Sequence, residues 1–227
     1  MRGHESATAV ARWNEGVLLP SSRIILASGS PRRESLLRQL GLVFEVVVAD
    51  IEEPSPEPDE SLADWVQRCA ALKASAAARQ FDDALVIGAD TVVVEGQVLG
   101  KPRDANQAAQ MLARLSGRTH DVLTGLALVT PAGKVCSACE TTRVTFRSLS
   151  LREIDAYVGS GEPMDKAGAY GIQGRGAMLV ESIDGSYTNV VGLPLPETLE
   201  MLEDAGLWRP LAGVANNRTA PMAARSR

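Results

Sequence analysis

The sequence is poor in the residues that build disulfide frameworks and zinc sites. Its 227 residues include only three cysteines and two histidines. Cys136 and Cys139 form one C-x-x-C pair, but they fall in a predicted strand, where positions three apart face opposite sides. His4 and His120 have no cluster of other ligands beside them in the chain. We therefore expect neither a zinc site nor a catalytic histidine, and the cysteine usage favours the reducing cytoplasm.

Long apolar runs and common nucleotide-binding signatures are also absent. No stretch approaches the roughly 20 apolar residues that span a bilayer, and residues 1–16 contain Glu5 and Glu15 instead of an apolar signal core. A Walker loop, a Rossmann glycine motif after the first strand and a G-x-S-x-G elbow are missing, which disfavours ordinary ATPases, dehydrogenases and serine hydrolases. The net charge of -5 argues against general nucleic-acid binding, so an anion site has to be a local basic patch.

Strand and helix patterns alternate between about residues 23 and 211. This alternation predicts an α/β domain with a mixed sheet. Residues 1–22 and 212–227 show no sustained hydrophobic period, and we expect both to be disordered tails. The predicted strands cover residues 24–27, 44–49 and 84–89. A short hairpin formed by 91–94 and 97–99 and a long antiparallel hairpin formed by 119–129 and 135–146 follow.

The first strand is followed by a tight turn and a helix. Ser30 suits the N-cap of this helix and a proline follows it at the first helical position. Arg32 and Arg33 lie in the first turn, where the positive end of the helix dipole disfavours cations unless an anion is near. Two arginines, backbone N–H groups and the hydroxyls of Ser28 and Ser30 suit phosphate binding. Two solvated arginines on a surface helix are an equally open interpretation.

A second predicted helix, which begins at Ser61 and runs to about residue 79, carries a lysine where an apolar residue is expected. Asp64 occupies the capping-box position of this helix. Lys73 falls inside the apolar stripe of the helix at a period of about 3.6 residues. A lysine on an inward face needs an anion, or it extends to the edge of the stripe, which is the commoner outcome.

Charged residues gather at the ends of predicted elements, where α/β proteins place ligands. Asp90 follows a buried strand, Glu52 follows another, and Lys101 follows a short hairpin. The Asp90 carboxylate is either hydrogen-bonded structurally or directed at a metal or a water. Two converging carboxylates suit a hard divalent cation, typically Mg²⁺. Such a cation would bridge phosphate oxygens and activate a water while lysines and arginines neutralise charge.

Several long motifs in collinear order resemble the Maf family of nucleoside triphosphate pyrophosphatases. The resemblance covers about residues 23–206. It implies a twisted mixed sheet flanked by helices, with two lobes around a central cleft, as in the related inosine triphosphatases. The matching segments are LASGSPRR (26–33), GADT (88–91), KPRD (101–104), LSGRTH (115–120) and DKAGAYGIQG (165–174), extended by residues 185–194.

The resemblance implies hydrolysis of a nucleoside triphosphate to the monophosphate and pyrophosphate with a divalent metal, Mg²⁺ or Mn²⁺. It implies that Asp90 accepts a proton or orients the water, that Glu52, Lys73 and Lys101 belong to the active site, and that Glu52 and Asp90 bind the metal. It gives Lys73 a reason to point inward. Dimers are common in the family, so a homodimer is a possible assembly.

The resemblance also implies a substrate class within the family. The branch acting on dTTP and UTP is marked by an arginine, a threonine and a glutamine, and these match Arg32, Thr91 and Gln173. A glutamine amide can pair with a donor and an acceptor on a pyrimidine edge. The expected substrate-binding residues are Ser28, Arg32, Arg33, Thr91 and Gln173.

Three functions are open at this point. The first is a metal-dependent pyrophosphatase that acts on dTTP, UTP and modified pyrimidine triphosphates. The second is a regulatory protein that binds nucleotide without turnover and affects septum formation. The third is a pyrophosphatase of inosine- or xanthosine-type triphosphates. We favour the first, because the three marker residues of the dTTP/UTP branch are all present.

Overall fold

In the computed structural model, which describes residues 23–49 and 51–206, strands form one mixed sheet with helices packed on it. The strands are β1 (Arg23–Ala27), β2 (Glu45–Val46), β3 (Ala84–Val94), β4 (Val98–Leu99), β5 (Thr119–Val129), β6 (Val135–Phe146) and β7 (Val180–Asp184). The sheet order is β2-β1-β3-β5-β6-β7, and β4 pairs with the far end of β3. β1 is parallel to β2 and β3, whereas β5, β6 and β7 are antiparallel to their neighbours. This confirms the expected mixed α/β sheet.

The helices begin where the sequence offers capping side chains. The Ser61 hydroxyl accepts the N–H of Asp64 at 3.1 Å, and Ser150 and Glu153 form a reciprocal capping box. Ser30 makes no such bond at the first helix; the Ser28 hydroxyl accepts the Ser30 N–H instead, at 3.2 Å. The helices are α1 (Pro31–Gln39), α2 (Leu62–Ala78), α3 (Ala105–Leu115), α4 (Leu151–Val158), α5 (Tyr187–Val191) and α6 (Leu195–Asp204), with three short 3-10 helices between Glu162 and Leu179.

The buried side chains form separate cores on either side of a cleft. One core lies around α3, α4 and the Val93 end of β3, and includes Phe146 and Tyr157. Others cover both faces of β1 and the first half of β3, where Leu85 and Val86 are fully buried. The structure thus has the two lobes and central cleft that the family resemblance implies.

Helix α2 lies unusually close to the sheet because two glycines lie beneath it. A Cβ atom at Gly125 would stand 2.1 Å from the carbonyl oxygen of Val66, and one at Gly88 would stand 2.5 Å from that of Ala70. Both contacts are far inside van der Waals range, so only glycine permits this approach. The approach brings the side chains of α2 to the middle of β3.

Two predicted strands differ from those observed. The strand predicted at 44–49 is reduced to Glu45–Val46 at the sheet edge, where Val43 and Val48 are exposed. The strand predicted at 84–89 and the hairpin strand predicted at 91–94 form one continuous strand, β3, because β5 pairs with it as far as Val94. Asp90 therefore lies in the middle of a strand. The expected tails, 1–22 and 212–227, lie outside the described residues. Within the ranges that the structure describes, no helix is long and apolar enough to cross a membrane.

Candidate active site

A cavity of about 640 Å³ opens between the two lobes. Its wall combines the turn after β1, the start of α1, the middle of α2 and β3, the segment 165–173 and the end of α5. Every residue predicted for the site except Glu52 lines this cavity. These residues are Ser28, Arg32, Arg33, Lys73, Asp90, Thr91, Lys101 and Gln173.

The lysine on the apolar stripe of α2 lies between two carboxylates. Lys73 Nζ donates to Asp90 Oδ1 at 2.6 Å and to Glu53 Oε1 at 2.6 Å. Asp90 is only 6% exposed, and Lys73 reaches it because α2 packs directly on β3. The inward lysine therefore has anionic partners and does not extend to the helix edge. The arrangement holds one nearly buried carboxylate in a fixed orientation at the cavity wall.

Both glutamates are exposed, but the structure brings only Glu53 to the cavity, and Glu52 lies outside its wall. Ile51 and Glu53 both line the cavity, as expected for alternate positions of an extended segment. Burial would raise the pKa of Glu53, but the hydrogen bond from Lys73 and the nearby positive charges outweigh this effect and hold the pKa below its ordinary value. The composition of this segment offers no reason to prefer either glutamate. The apolar Ile51, two residues before Glu53, was the available signal.

Arg33 crosses the inner end of the cleft. Its guanidinium donates to the carbonyl oxygen of Gly192 at 2.7 Å, to Thr91 Oγ1 at 2.9 Å and to Ser28 Oγ at 3.3 Å. Burial lowers the pKa of Arg33, and Arg32 acts in the same direction against the attraction of Asp90. All three hydrogen-bond acceptors are neutral. Arg33, which lines the cavity, therefore has no carboxylate bonded to it in the described part of the chain.

The hydroxyl of Thr91 has a fixed hydrogen-bond polarity. Thr124 Oγ1 donates to the carbonyl oxygen of Asn189 at 3.2 Å, and its contact with Thr91 Oγ1 is 3.0 Å. The Thr124 proton is thus engaged, so the proton in the Thr91–Thr124 bond belongs to Thr91. Because Arg33 only donates, Thr91 can offer a ligand only a lone pair.

Gln173 is exposed, and its amide makes no hydrogen bond within the described residues.

Arg32 joins the two lobes at the mouth of the cavity. It donates to Asp165 Oδ2 at 3.0 Å, and Lys166 donates to the other carboxylate oxygen at 2.6 Å. Lys166 Nζ also donates to the carbonyl oxygen of Glu162. Asp165 and Lys166 line the cavity, although we did not predict them as site residues. Lys101 also lines the cavity. It follows Gly100, whose carbonyl oxygen accepts a hydrogen bond from the N–H of Gly168.

Asp90 and Glu53 are the candidate donors for a divalent cation. Across residues 23–49 and 51–206, no three His, Cys, Asp or Glu side chains cluster in a way that could hold an ion by themselves. Mg²⁺ is usually held by one or two carboxylates, with substrate phosphates and water completing its shell. Two carboxylates on one ammonium group, facing a cavity with several cations, fit that pattern.

The sequence matches the family model for Maf-like protein over residues 23–205, and the chain belongs to this family. The dTTP/UTP pyrophosphatase of Symbiobacterium thermophilum is 54% identical over 185 residues, which cover 81% of this chain and 94% of that protein. The dTTP/UTP pyrophosphatase of Myxococcus xanthus is 53% identical over 191 residues, covering 82% and 95%. Among solved structures, a Nucleoside-triphosphatase / dITP/XTP pyrophosphatase from Mycobacterium abscessus matches with a TM-score of 0.37 and 21% identity, over 56% of this chain and 75% of that one.

Proposed function

We propose that this chain is a nucleoside triphosphate pyrophosphatase that hydrolyses dTTP and UTP to the monophosphate and pyrophosphate. The observation that carries the proposal is the Lys73–Asp90 pair, set in a cavity whose walls also hold Arg32, Arg33 and Lys101. Its relatives at just over half identity bear the name dTTP/UTP pyrophosphatase. A carboxylate among several cations is the arrangement that water attack on a polyphosphate needs.

The residues divide between proton transfer and charge neutralisation. Asp90 accepts a proton from the attacking water, whose oxygen forms a bond to the α-phosphorus as the bond to the β-phosphate breaks. Lys73 keeps the Asp90 carboxylate oriented through its 2.6 Å hydrogen bond. Arg32, Arg33 and Lys101 offset the charge of the departing pyrophosphate, which preorganised cations do without reorganising during the reaction.

The proposed metal ligands are Asp90 and Glu53, with Glu53 in place of the adjacent Glu52. A divalent cation bound there, Mg²⁺ by preference and Mn²⁺ as the alternative, would neutralise phosphate charge and lower the pKa of a bound water. Lys73 contacts both carboxylates, so it keeps them together before any ligand binds. Glu52 lies outside the cavity wall and serves as the matched control for Glu53 in mutagenesis.

The specificity proposal uses the hydrogen-bond polarity of Thr91 and Gln173. Thymine and uracil carry a donor at N3, whereas the N3 of cytosine is an acceptor. A freely rotating glutamine amide can satisfy either edge, so Gln173 separates UTP from CTP only while its position and orientation are held. Thr91 offers only a lone pair, because its proton is donated to Thr124 and Arg33 can only donate to it. It therefore favours a donor on the ligand.

The decisive experiment is a panel of nucleoside triphosphates with Mg²⁺, with the products separated by chromatography. We expect dTTP and UTP to give monophosphate and pyrophosphate, and Asp90→Asn to lose at least about 100-fold in rate. Nucleoside diphosphate with orthophosphate would contradict the cleavage position. Preference for inosine or xanthosine triphosphate would support a purine-directed pyrophosphatase, and full cellular effect of an Asp90→Asn protein would support the regulatory function.

Location and assembly are further parts of the proposal. Cysteine usage supports a cytoplasmic location, which cell fractionation tests. A homodimer follows only from the family resemblance, and light scattering on the purified protein tests it.

A further inference from the structure

The segment 171–176, which carries Gln173, is held by two side chains that do not line the cavity. These are Tyr157, near the end of α4, and Glu162, at the start of the first 3-10 helix. Gln173 itself makes no side-chain hydrogen bond in the described residues, so its position depends on the backbone of this segment. In the proposed function, on which this inference rests, Gln173 contacts the pyrimidine.

Glu162 and Tyr157 bind the segment on both sides of Gln173. Glu162 Oε1 accepts the N–H of Gly176 at 3.1 Å, and Oε2 accepts that of Arg175 at 3.2 Å. The Tyr157 hydroxyl accepts the N–H of Gly171 at 3.2 Å and donates to Glu162 Oε1 at 3.0 Å. One carboxylate and one phenol therefore satisfy three backbone donors that lie before and after Gln173.

Two of these three backbone hydrogen bonds have a charged acceptor, the Glu162 carboxylate. Hydrogen bonds to an ionised acceptor are about twice as strong as neutral ones. Burial would raise the pKa of Glu162, but the donors from Gly176, Tyr157 and Arg175 outweigh it and lower the pKa. The carboxylate is therefore ionised at neutral pH.

The packing leaves little freedom around the same bonds. A Cβ at Gly176 would stand 2.1 Å from the Gly171 carbonyl oxygen and 2.6 Å from the Tyr157 hydroxyl. Tyr157 is 4% exposed and belongs to the core of its lobe. The segment is thus anchored to a rigid part of the fold, although Gln173 at its centre faces the cavity.

We propose that Glu162 and Tyr157 are positioning residues for base recognition, which hold the 171–176 backbone so that the Gln173 amide meets the pyrimidine edge. They act through Gln173 and touch neither the phosphates nor the reacting atoms. Their loss affects the choice of base and leaves the chemical step intact.

The test compares Glu162→Gln and Tyr157→Phe with the unmodified protein, using UTP and CTP as substrates. Glu162→Gln keeps the shape of the side chain but turns an amide N–H₂ towards a backbone donor. We expect KM for UTP to rise at least about tenfold while kcat stays within about threefold, and the preference for UTP over CTP to fall. Tyr157→Phe removes one hydroxyl from a packed ring and changes the same quantities less. Glu153→Gln is the matched control, because Glu153 also accepts a backbone N–H, at the α4 cap, away from the cavity.

A Gln173→Ala background separates positioning from general damage. If Glu162 acts through Gln173, adding Glu162→Gln to Gln173→Ala leaves the UTP-to-CTP ratio of kcat/KM unchanged. The inference would be overturned if Glu162→Gln and Gln173→Ala changed the UTP-to-CTP ratio of kcat/KM independently, so that their effects multiply. An equal loss of kcat on both substrates with KM unchanged would also overturn it. If Glu162→Gln does not fold, an unaltered ratio in Tyr157→Phe overturns it in the same way. Absence of any UTP preference in the unmodified protein instead refutes the proposed function.

Discussion

Replacement of Lys73 by methionine should destabilise the protein through the carboxylate it leaves behind. The side chains of Lys73 and Asp90 are 16% and 9% exposed, and their charged atoms are 2.6 Å apart. Removing one partner of a buried ion pair costs about 3–5 kcal/mol, and we expect about 3 kcal/mol because the cavity admits water beside Asp90. Since about 1 kcal/mol shifts Tm by roughly 2–4 °C in a protein of this size, the melting temperature should fall by roughly 6–12 °C.

The partner substitution should behave differently. In Asp90→Asn, Lys73 keeps its hydrogen bond to Glu53 and the buried negative charge is gone, so stability should change by less than about 1 kcal/mol. Methionine fits the apolar stripe of α2 that surrounds Lys73. The double variant therefore has no buried unpaired charge at Asp90 and should recover about 2 kcal/mol relative to the sum of the single changes. All three variants should be inactive.

Urea unfolding followed by circular dichroism measures this cycle, because urea, unlike guanidinium, does not screen charges. Activity is measured on the same samples to separate folding from catalysis. If the double variant is as unstable as the two single changes added together, the 2.6 Å contact is not the source of the effect and the reasoning fails.

Two further predictions concern stability. Gly125→Ala places a Cβ 2.1 Å from the Val66 carbonyl and should cost at least about 3 kcal/mol; Gly100→Ala, with no atom within 4 Å of its Cβ, should melt within about 2 °C of the unmodified protein. Burial lowers the pKa of His120 from 6.5 to about 4, so the unfolded chain binds the extra proton between these values. The stability that neutral His120 contributes is complete above about pH 6.5 and falls by up to about 3 kcal/mol towards pH 4. The urea midpoint plotted against pH should therefore be flatter in His120→Gln than in the unmodified protein. Identical plots for the two proteins would contradict this account.

The elements that local chemistry defines could be predicted from the sequence. The bounds of β5 and β6 match the predicted hairpin, and the cap at Ser61 with Asp64 is confirmed. Each of these signals lies within a few residues of the element that it defines. Helix α5, whose cap Ser186 accepts the Asn189 N–H, was not predicted, since five residues are too few to show a helical period.

The parts that depend on distant pairing could not be predicted in the same way. Asp90 continues a strand because Gly125, far along the chain, pairs with it. Whether Glu52 or Glu53 faces the cavity depends on how the segment that follows the edge strand β2 lies against Lys73. The hydrogen bonds from the backbone N–H groups of residues 175–176 to Glu162 join two segments that share no sequence pattern. The family resemblance identified the segments of the site, but the roles of their side chains remain predictions.

The ladder between β3 and β5 has a mechanical consequence. Its pairing is continuous from Val86 with Val129 to Val94 with Asp121, and both strands supply side chains to the cores on the two sides of the cleft. A rotation of one lobe against the other would have to bend or break this ladder near its middle, at Asp90. Across the described residues, no loop interrupts either strand at that point, so the ladder resists widening of the cleft.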